Sequence, residues 1–93
     1  MIINEKTKQM YLDNMLRNLP VLRAKLGTTQ KELADRLGVT RQTITALESG
    51  KRTLTWTNYL AMCFVFDNCE ETRMMIDLYD ICPEIVRHYL RNK

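Results

Sequence analysis

The fold of this chain depends on residues 29–50, TQKELADRLGVTRQTITALESG. Within this stretch, Thr29 and Glu32 have the T-x-x-E spacing of a capping box, which predicts that a helix over residues 30–37 starts here. Gly38 follows, and glycine readily adopts the left-handed conformation that ends a helix. The stretch therefore begins with a short helix and a tight turn.

A second helix is predicted over residues 41–49, after a Thr40 cap. At about 100° per residue, Ile44 and Leu47 point to one side of this helix. The opposite side carries amide, hydroxyl and methyl groups, at Gln42, Thr45, Ala46 and Ser49. Together with the Arg41 guanidinium, such groups can bond base edges in the DNA major groove. The alternative is an ordinary helical hairpin with a neutral outer face.

The composition is that of one globular domain. The chain has 93 residues, of which 45% are hydrophobic and 27% charged. No apolar run approaches the ~20 residues of a membrane helix, and the N-terminus lacks a secretory signal. Three cysteines without a CxxC pair fit reduced thiols, so we expect a cytoplasmic protein that is not bound to a membrane.

Positive charge is concentrated in the middle of the chain. Residues 23–52 hold seven Lys or Arg residues against three acidic ones, a net +4, whereas residues 67–93 have a net −2. A basic segment of this kind suits a polyanionic partner, although a charged face is often only solvated.

The N-terminal flank is predicted as two helices. Asn4 can cap a first helix over residues 5–17, and Pro20 fits the first turn of the next helix after an Asn18 cap. One kinked, continuous helix is the alternative. Gly27 ends this part of the chain.

The C-terminal flank is also predicted to be helical. Thr55 or Thr57 can cap a helix to about Phe66, a further helix spans roughly 69–80, and Pro83 opens a last one. This flank is rich in apolar residues that either pack on the core or form a dimer interface: Met74, Met75, Ile76, Leu78, Tyr79, Ile81, Ile85, Val86, Tyr89 and Leu90. The Met/Leu-rich N-terminal helix is the other candidate for dimer contacts.

A family pattern runs through residues 21–66. It consists of Leu22-Arg23, Gly27, Thr29-Gln30, Glu32-Leu33-Ala34, Gly38-Val39, Ile44, Leu47-Glu48, Gly50-Lys51 and the segment from Leu54 to Phe66. This pattern resembles the helix-turn-helix of the Cro and phage-repressor (XRE-type) family. The resemblance implies an all-α, lambda-repressor-like five-helix DNA-binding domain. The chain is then a single domain over residues 1–93, with a bundle at about 19–66, an extra N-terminal helix over 5–17 and a helical extension over 67–93.

The resemblance also implies roles for individual residues. Base-reading positions fall on Arg41, Gln42, Thr45 and Ala46. Phosphate contacts fall on Gln30, Thr43, Lys51 and Arg52. A structural ion pair falls on Arg23 and Glu48. Ala46 departs from the family, which often places a longer polar side chain there, so specificity can depend on DNA shape or on a second subunit.

The function implied is that of a prokaryotic or phage regulator of transcription, a repressor that binds double-stranded DNA as a homodimer on a palindromic operator. One alternative is an antitoxin that binds its toxin through residues 67–93. Another is a protein-interaction module with a repressor-like fold.

No enzyme, cofactor or metal site is predicted. His88 is the sole histidine of the chain, and the sequence pattern shows no nucleophile or Gly-rich phosphate loop with which it could act in catalysis. Together with Cys63, Cys69 and Cys82 it fits no structural zinc spacing. Cys63 lies in an apolar helix and is most simply a core residue.

Overall fold

The computed structural model describes residues 3–91, apart from the side chains of Tyr89 and Arg91. Within this range the secondary structure is entirely helical, which confirms the all-α prediction. The helices are α1 (Glu5–Leu26), α2 (Gln30–Leu37), α3 (Arg41–Glu48), α4 (Trp56–Asp67), α5 (Glu70–Leu78) and α6 (Glu84–Arg91).

The prediction of a separate N-terminal helix over residues 5–17 is wrong. One helix, α1, continues from Glu5 to Leu26 with Pro20 inside it. Asn18 does not cap a new helix, because its Nδ2 donates to the Asn14 carbonyl one turn earlier at 2.8 Å. An apolar stripe continues past the proline and packs on α4 and α5, so burial outweighs the cost of an interior proline. The buried stripe consists of Leu12, Met15, Leu19 and Leu22.

The capping signals place the central helices where the sequence predicts them. Thr29 Oγ1 accepts from the Glu32 backbone N–H at 3.1 Å, and a Glu32 carboxylate oxygen accepts from the Thr29 N–H at 2.9 Å. The hydrogen bond from the Thr29 backbone N–H to the carboxylate, and after it the Thr29 side chain, hold the pKa of Glu32 below its ordinary value. Gly38 has φ 73°, in the left-handed region. Thr55, rather than Thr57, caps α4.

Three helices have boundaries that differ slightly from their predicted positions. Helix α3 ends at Glu48, one residue early, with Ser49 as its C-cap. Helix α5 spans Glu70–Leu78 instead of 69–80, and α6 begins at Glu84, just after Pro83.

One continuous core joins the central helices to the C-terminal extension. Tyr59 of α4 is fully buried, and its hydroxyl donates to the Ile81 carbonyl at 2.8 Å. Side chains of the extension, among them Ile76, Ile81 and Val86, are as buried as Leu33 of α2. The described part of residues 67–93 is therefore packed against the bundle and is not a loose tail.

Candidate nucleic-acid interface

Helix α3 is buried along one side and exposed along the other. Ile44 and Leu47 are buried against the bundle. The exposed side carries Arg41, Gln42 and Thr45, with Ala46 half-buried beside them. Of the four predicted base-reading residues, the structure thus brings three to the surface on one short helix face.

A carboxylate at the end of α3 joins three helices. Glu48 Oε2 accepts from Arg23 Nε at 3.0 Å, and its Oε1 accepts from Arg23 Nη2 at 3.3 Å. Gln30 Nε2 donates to the same Oε1 at 2.9 Å. The Glu48 side chain is 10% exposed, so this charged, forked contact is only weakly screened by water. The predicted ion-pair residues are in direct contact.

The Gln30 amide also faces α3. The Thr45 hydroxyl lies 3.0 Å from Gln30 Oε1 and 3.1 Å from the Arg41 carbonyl, and it can donate to either. Gln30 is therefore held between Glu48 and Thr45. Gln30, which is predicted to contact a phosphate, and Thr45, which is predicted to read a base, are therefore in contact with each other. The spacing of residues along each helix does not reveal this contact.

Thr43 lies on the inner side of α3. It is 8% exposed, and its Oγ1 lies 3.0 Å from Thr40 Oγ1. Arg52 Nη1 donates to the same oxygen at 3.4 Å. Lys51 and Arg52 themselves are exposed just beyond Gly50. The structure thus brings the basic pair to the surface but not Thr43.

An open cleft of about 510 Å³ lies between the end of α1 and the starts of α2 and α3. Its lining includes three cationic side chains, those of Arg23, Lys31 and Arg41. The first N–H groups of a helix lack intrahelical partners, so the start of α2 adds donors and a positive dipole end. Sequence analysis did not single out Lys31. The feature that could have identified Lys31 as a candidate is its position next to Gln30, at the start of a predicted helix.

The cysteines lie outside this region. Cys63 and Cys82 are buried, and Cys69 is half-buried. A hydrogen bond with Cys63, together with burial, raises the pKa of the Cys82 thiol, which disfavours a reactive thiolate. Among residues 3–91, no group of three or more His, Cys, Asp or Glu side chains is arranged to hold a metal ion.

Comparison with known proteins assigns residues 22–63 to a family model described as "Helix-turn-helix". An uncharacterized HTH-type transcriptional regulator of Methanothermobacter thermautotrophicus is 69% identical over 29 residues, which are 31% of this chain and 42% of that protein. The chain thus spans less than half the length of this relative. No solved structure matches the chain. None of the helices in the described part of the chain has the length and apolarity to cross a membrane.

Proposed function

We propose that this chain, whose residues 22–63 form a helix-turn-helix domain of the XRE type with the lambda-repressor-like fold, is a DNA-binding transcriptional regulator. The observation that carries the proposal is the position of α3. Its exposed side holds Arg41, Gln42 and Thr45, and its start opens onto the cationic cleft beside α2. A short helix with such groups fits the major groove, while cations on either side suit the phosphates.

We assign the reading of bases to the exposed side of α3. An arginine such as Arg41 can donate two hydrogen bonds to guanine. The Gln42 amide can bond adenine twice, because its oxygen accepts and its nitrogen donates. Thr45 and Ala46 offer methyl groups to the thymine methyl. Because Ala46 has no polar group and is half-buried, we assign hydrogen-bonded readout to the other three.

We assign phosphate binding to residues on both sides of α3. Gln30 has two amide N–H groups, and the bond to Glu48 uses one, so the other can donate to a phosphate at the start of α2. Lys51 and Arg52 are exposed and can bind the backbone across the groove. Since Thr43 is buried, we assign it to hold Arg52 rather than to touch the phosphate itself.

The regulator acts as a homodimeric repressor in this proposal. One α3 can reach only a few base pairs, and two copies related by a two-fold axis read a palindrome with half-sites about 34 Å apart. A dimer seated on such an operator would exclude other proteins from the same DNA. The C-terminal flank, where it is described, packs onto the core as α5 and α6, so it is part of the bundle in this proposal and not a separate toxin-binding tail.

Selection of bound sequences from random double-stranded DNA tests the proposal. We expect enrichment of an inverted repeat, together with affinity that falls steeply as salt rises, because phosphate contacts release counterions. Absence of binding to any DNA at low salt would contradict the regulator and favour a protein-interaction module.

A matched pair of charge reversals identifies the face that binds. Lys51→Glu should abolish binding at moderate salt, because it places a negative charge beside the phosphates. Lys6→Glu, an exposed lysine about 25 Å from Arg23 along α1, should leave binding nearly unchanged. Equal losses from both variants would mean that the interface has been misassigned.

A further inference from the structure

The Thr45 hydroxyl, on the exposed side of α3, has two hydrogen-bonding neighbours within the protein. Its Oγ1 lies 3.1 Å from the Arg41 carbonyl oxygen, one turn earlier in α3, and 3.0 Å from Gln30 Oε1 of α2. A backbone carbonyl can only accept a hydrogen bond, so in the Arg41 contact the threonine must donate. What the hydroxyl presents to the outside therefore depends on the direction of the Gln30 contact.

The direction of the Gln30 contact is fixed by Glu48. One end of an amide side chain donates and the other accepts, so its orientation follows from its partners. The Gln30 amide lies 2.9 Å from Glu48 Oε1, within the carboxylate that Arg23 also binds. Because a carboxylate can only accept, the amide nitrogen must face Glu48. The amide oxygen then faces Thr45, and it too can only accept.

Phosphate binding by Gln30 preserves this orientation of the amide. A phosphate oxygen accepts hydrogen bonds, as the Glu48 carboxylate does, so it takes the second N–H of the same amide nitrogen. Both partners of the nitrogen then hold the amide oxygen toward Thr45. We therefore expect the orientation in the free protein to persist on DNA.

The lone pairs of the Thr45 hydroxyl are left for the DNA. A hydroxyl has one hydrogen and two lone pairs, and both neighbours of Thr45 take the hydrogen. In the major groove, the exocyclic amino groups of adenine and cytosine are the hydrogen-bond donors. Guanine N7 and O6 and thymine O4 are acceptors, and they would meet a lone pair of the hydroxyl with repulsion.

We infer that Thr45 acts toward DNA as a hydrogen-bond acceptor and reads the exocyclic amino group of adenine or cytosine. The inference rests on the proposed function and deepens it, since that proposal names Thr45 as a base reader without fixing the chemical group that it reads. A free threonine hydroxyl suits donors and acceptors alike, whereas the contacts of Thr45 with α2 and with its own helix leave one choice.

Base analogues placed in the selected operator test the inference. Titration of wild type and Thr45→Val against every single base-pair change locates the pair that the hydroxyl reads, because valine keeps the shape and a methyl group. At that pair, 2-aminopurine in place of adenine, or pyrimidin-2-one in place of cytosine, removes the amino group from the major groove. This removal should weaken wild-type binding about fivefold or more, the effect of one hydrogen bond, and Thr45→Val binding less than about twofold.

Two variants serve as controls. Thr45→Ser keeps the hydroxyl and should retain the dependence on the amino group. Thr57→Val makes the valine change at an exposed threonine of α4 and should retain this dependence as well. Exchange of the purine N7 of the same pair for carbon should affect wild type and Thr45→Val equally, because N7 is an acceptor. Helical circular dichroism spectra of all variants check that they are folded.

Three results overturn the inference: equal sensitivity of wild type and Thr45→Val to loss of the amino group, a hydroxyl-dependent contact with N7, or no base pair at which the two proteins differ. In each of these cases the wild type still binds its operator, so the proposed function stands. A wild type that binds no DNA is a distinct result, which contradicts the regulator itself and this inference with it.

Discussion

Gln30, the first residue of α2, donates a 2.9 Å hydrogen bond to Glu48, the last residue of α3. Arg23 of α1 contacts the same carboxylate. The relative orientation of the three helices around the candidate interface is thus tied to one acidic side chain. Because Gln30 also lies against Thr45, the same contact sets the position of a polar group on the exposed side of α3.

Replacement of Glu48 by alanine should destabilise the fold. The change leaves the half-buried Arg23 guanidinium and the Gln30 amide without their common acceptor, and we expect a loss of about 1–3 kcal/mol in unfolding free energy. Urea unfolding followed by the fluorescence of Trp56, the sole tryptophan, measures it. Glu48→Gln should lose less, because it keeps an acceptor oxygen.

The matched control for Glu48 is an exposed pair. Asp35 lies 3.2 Å from Lys31, but both side chains are more than 60% exposed. Asp35→Ala should therefore change stability by no more than about 0.5 kcal/mol. A Glu48→Ala loss as small as this would mean that the three-helix contact does not stabilise the fold.

Gln42→Ala and Lys51→Ala should weaken DNA binding in different ways. Gln42→Ala removes a proposed base contact, so it should cost roughly 1–3 kcal/mol on the selected operator and spare binding to random DNA. Lys51→Ala removes a proposed phosphate contact, so it should weaken both alike and reduce the salt dependence. Titration of both variants on both DNAs measures this, and identical behaviour would contradict the division of roles.

Pro20→Ala should stabilise the protein. Pro20 is exposed within α1, where it lacks an N–H and its ring crowds the carbonyl of Leu16. Alanine gives the unfolded chain more conformational freedom than proline does, which offsets part of this gain. We therefore expect the free energy of unfolding, measured with urea, to rise by about 1–2 kcal/mol. The control Arg17→Ala, exposed on the same helix, should stay within about 0.5 kcal/mol. A loss on Pro20→Ala would show that packing requires the proline.

Glu32→Gln should remove a pH-dependent contribution to stability. The folded chain lowers the pKa of Glu32, so its stabilising effect is present above the ordinary value of 4.5 and is lost as pH falls through the folded value. Wild type should exceed the variant in stability at neutral pH, and the difference should shrink in acid. Urea unfolding across this pH range tests the claim. A difference that stays constant with pH would mean that the carboxylate charge is not responsible.

Local signals predicted the central helices well because their determinants are local. The capping box of Thr29 and Glu32 and the left-handed Gly38 act within one turn of the chain, so α2 appears at the predicted residues. Pro20 shows the limit of such signals. Its local preference favours a helix start, yet burial of Met15 and Leu19 against distant helices maintains one continuous α1.

The sequence by itself determined the all-helical class, the two central helices and the polar character of the outer side of α3. These depend on spacing and capping within a few residues. The tertiary structure decided the contacts between Gln30, Glu48 and Thr45, the burial of Thr43 and the division of the C-terminal apolar residues into core and exposed surface. Such features depend on how helices far apart in the chain pack together, and a single amphipathic pattern does not specify which of its apolar residues meet a neighbour.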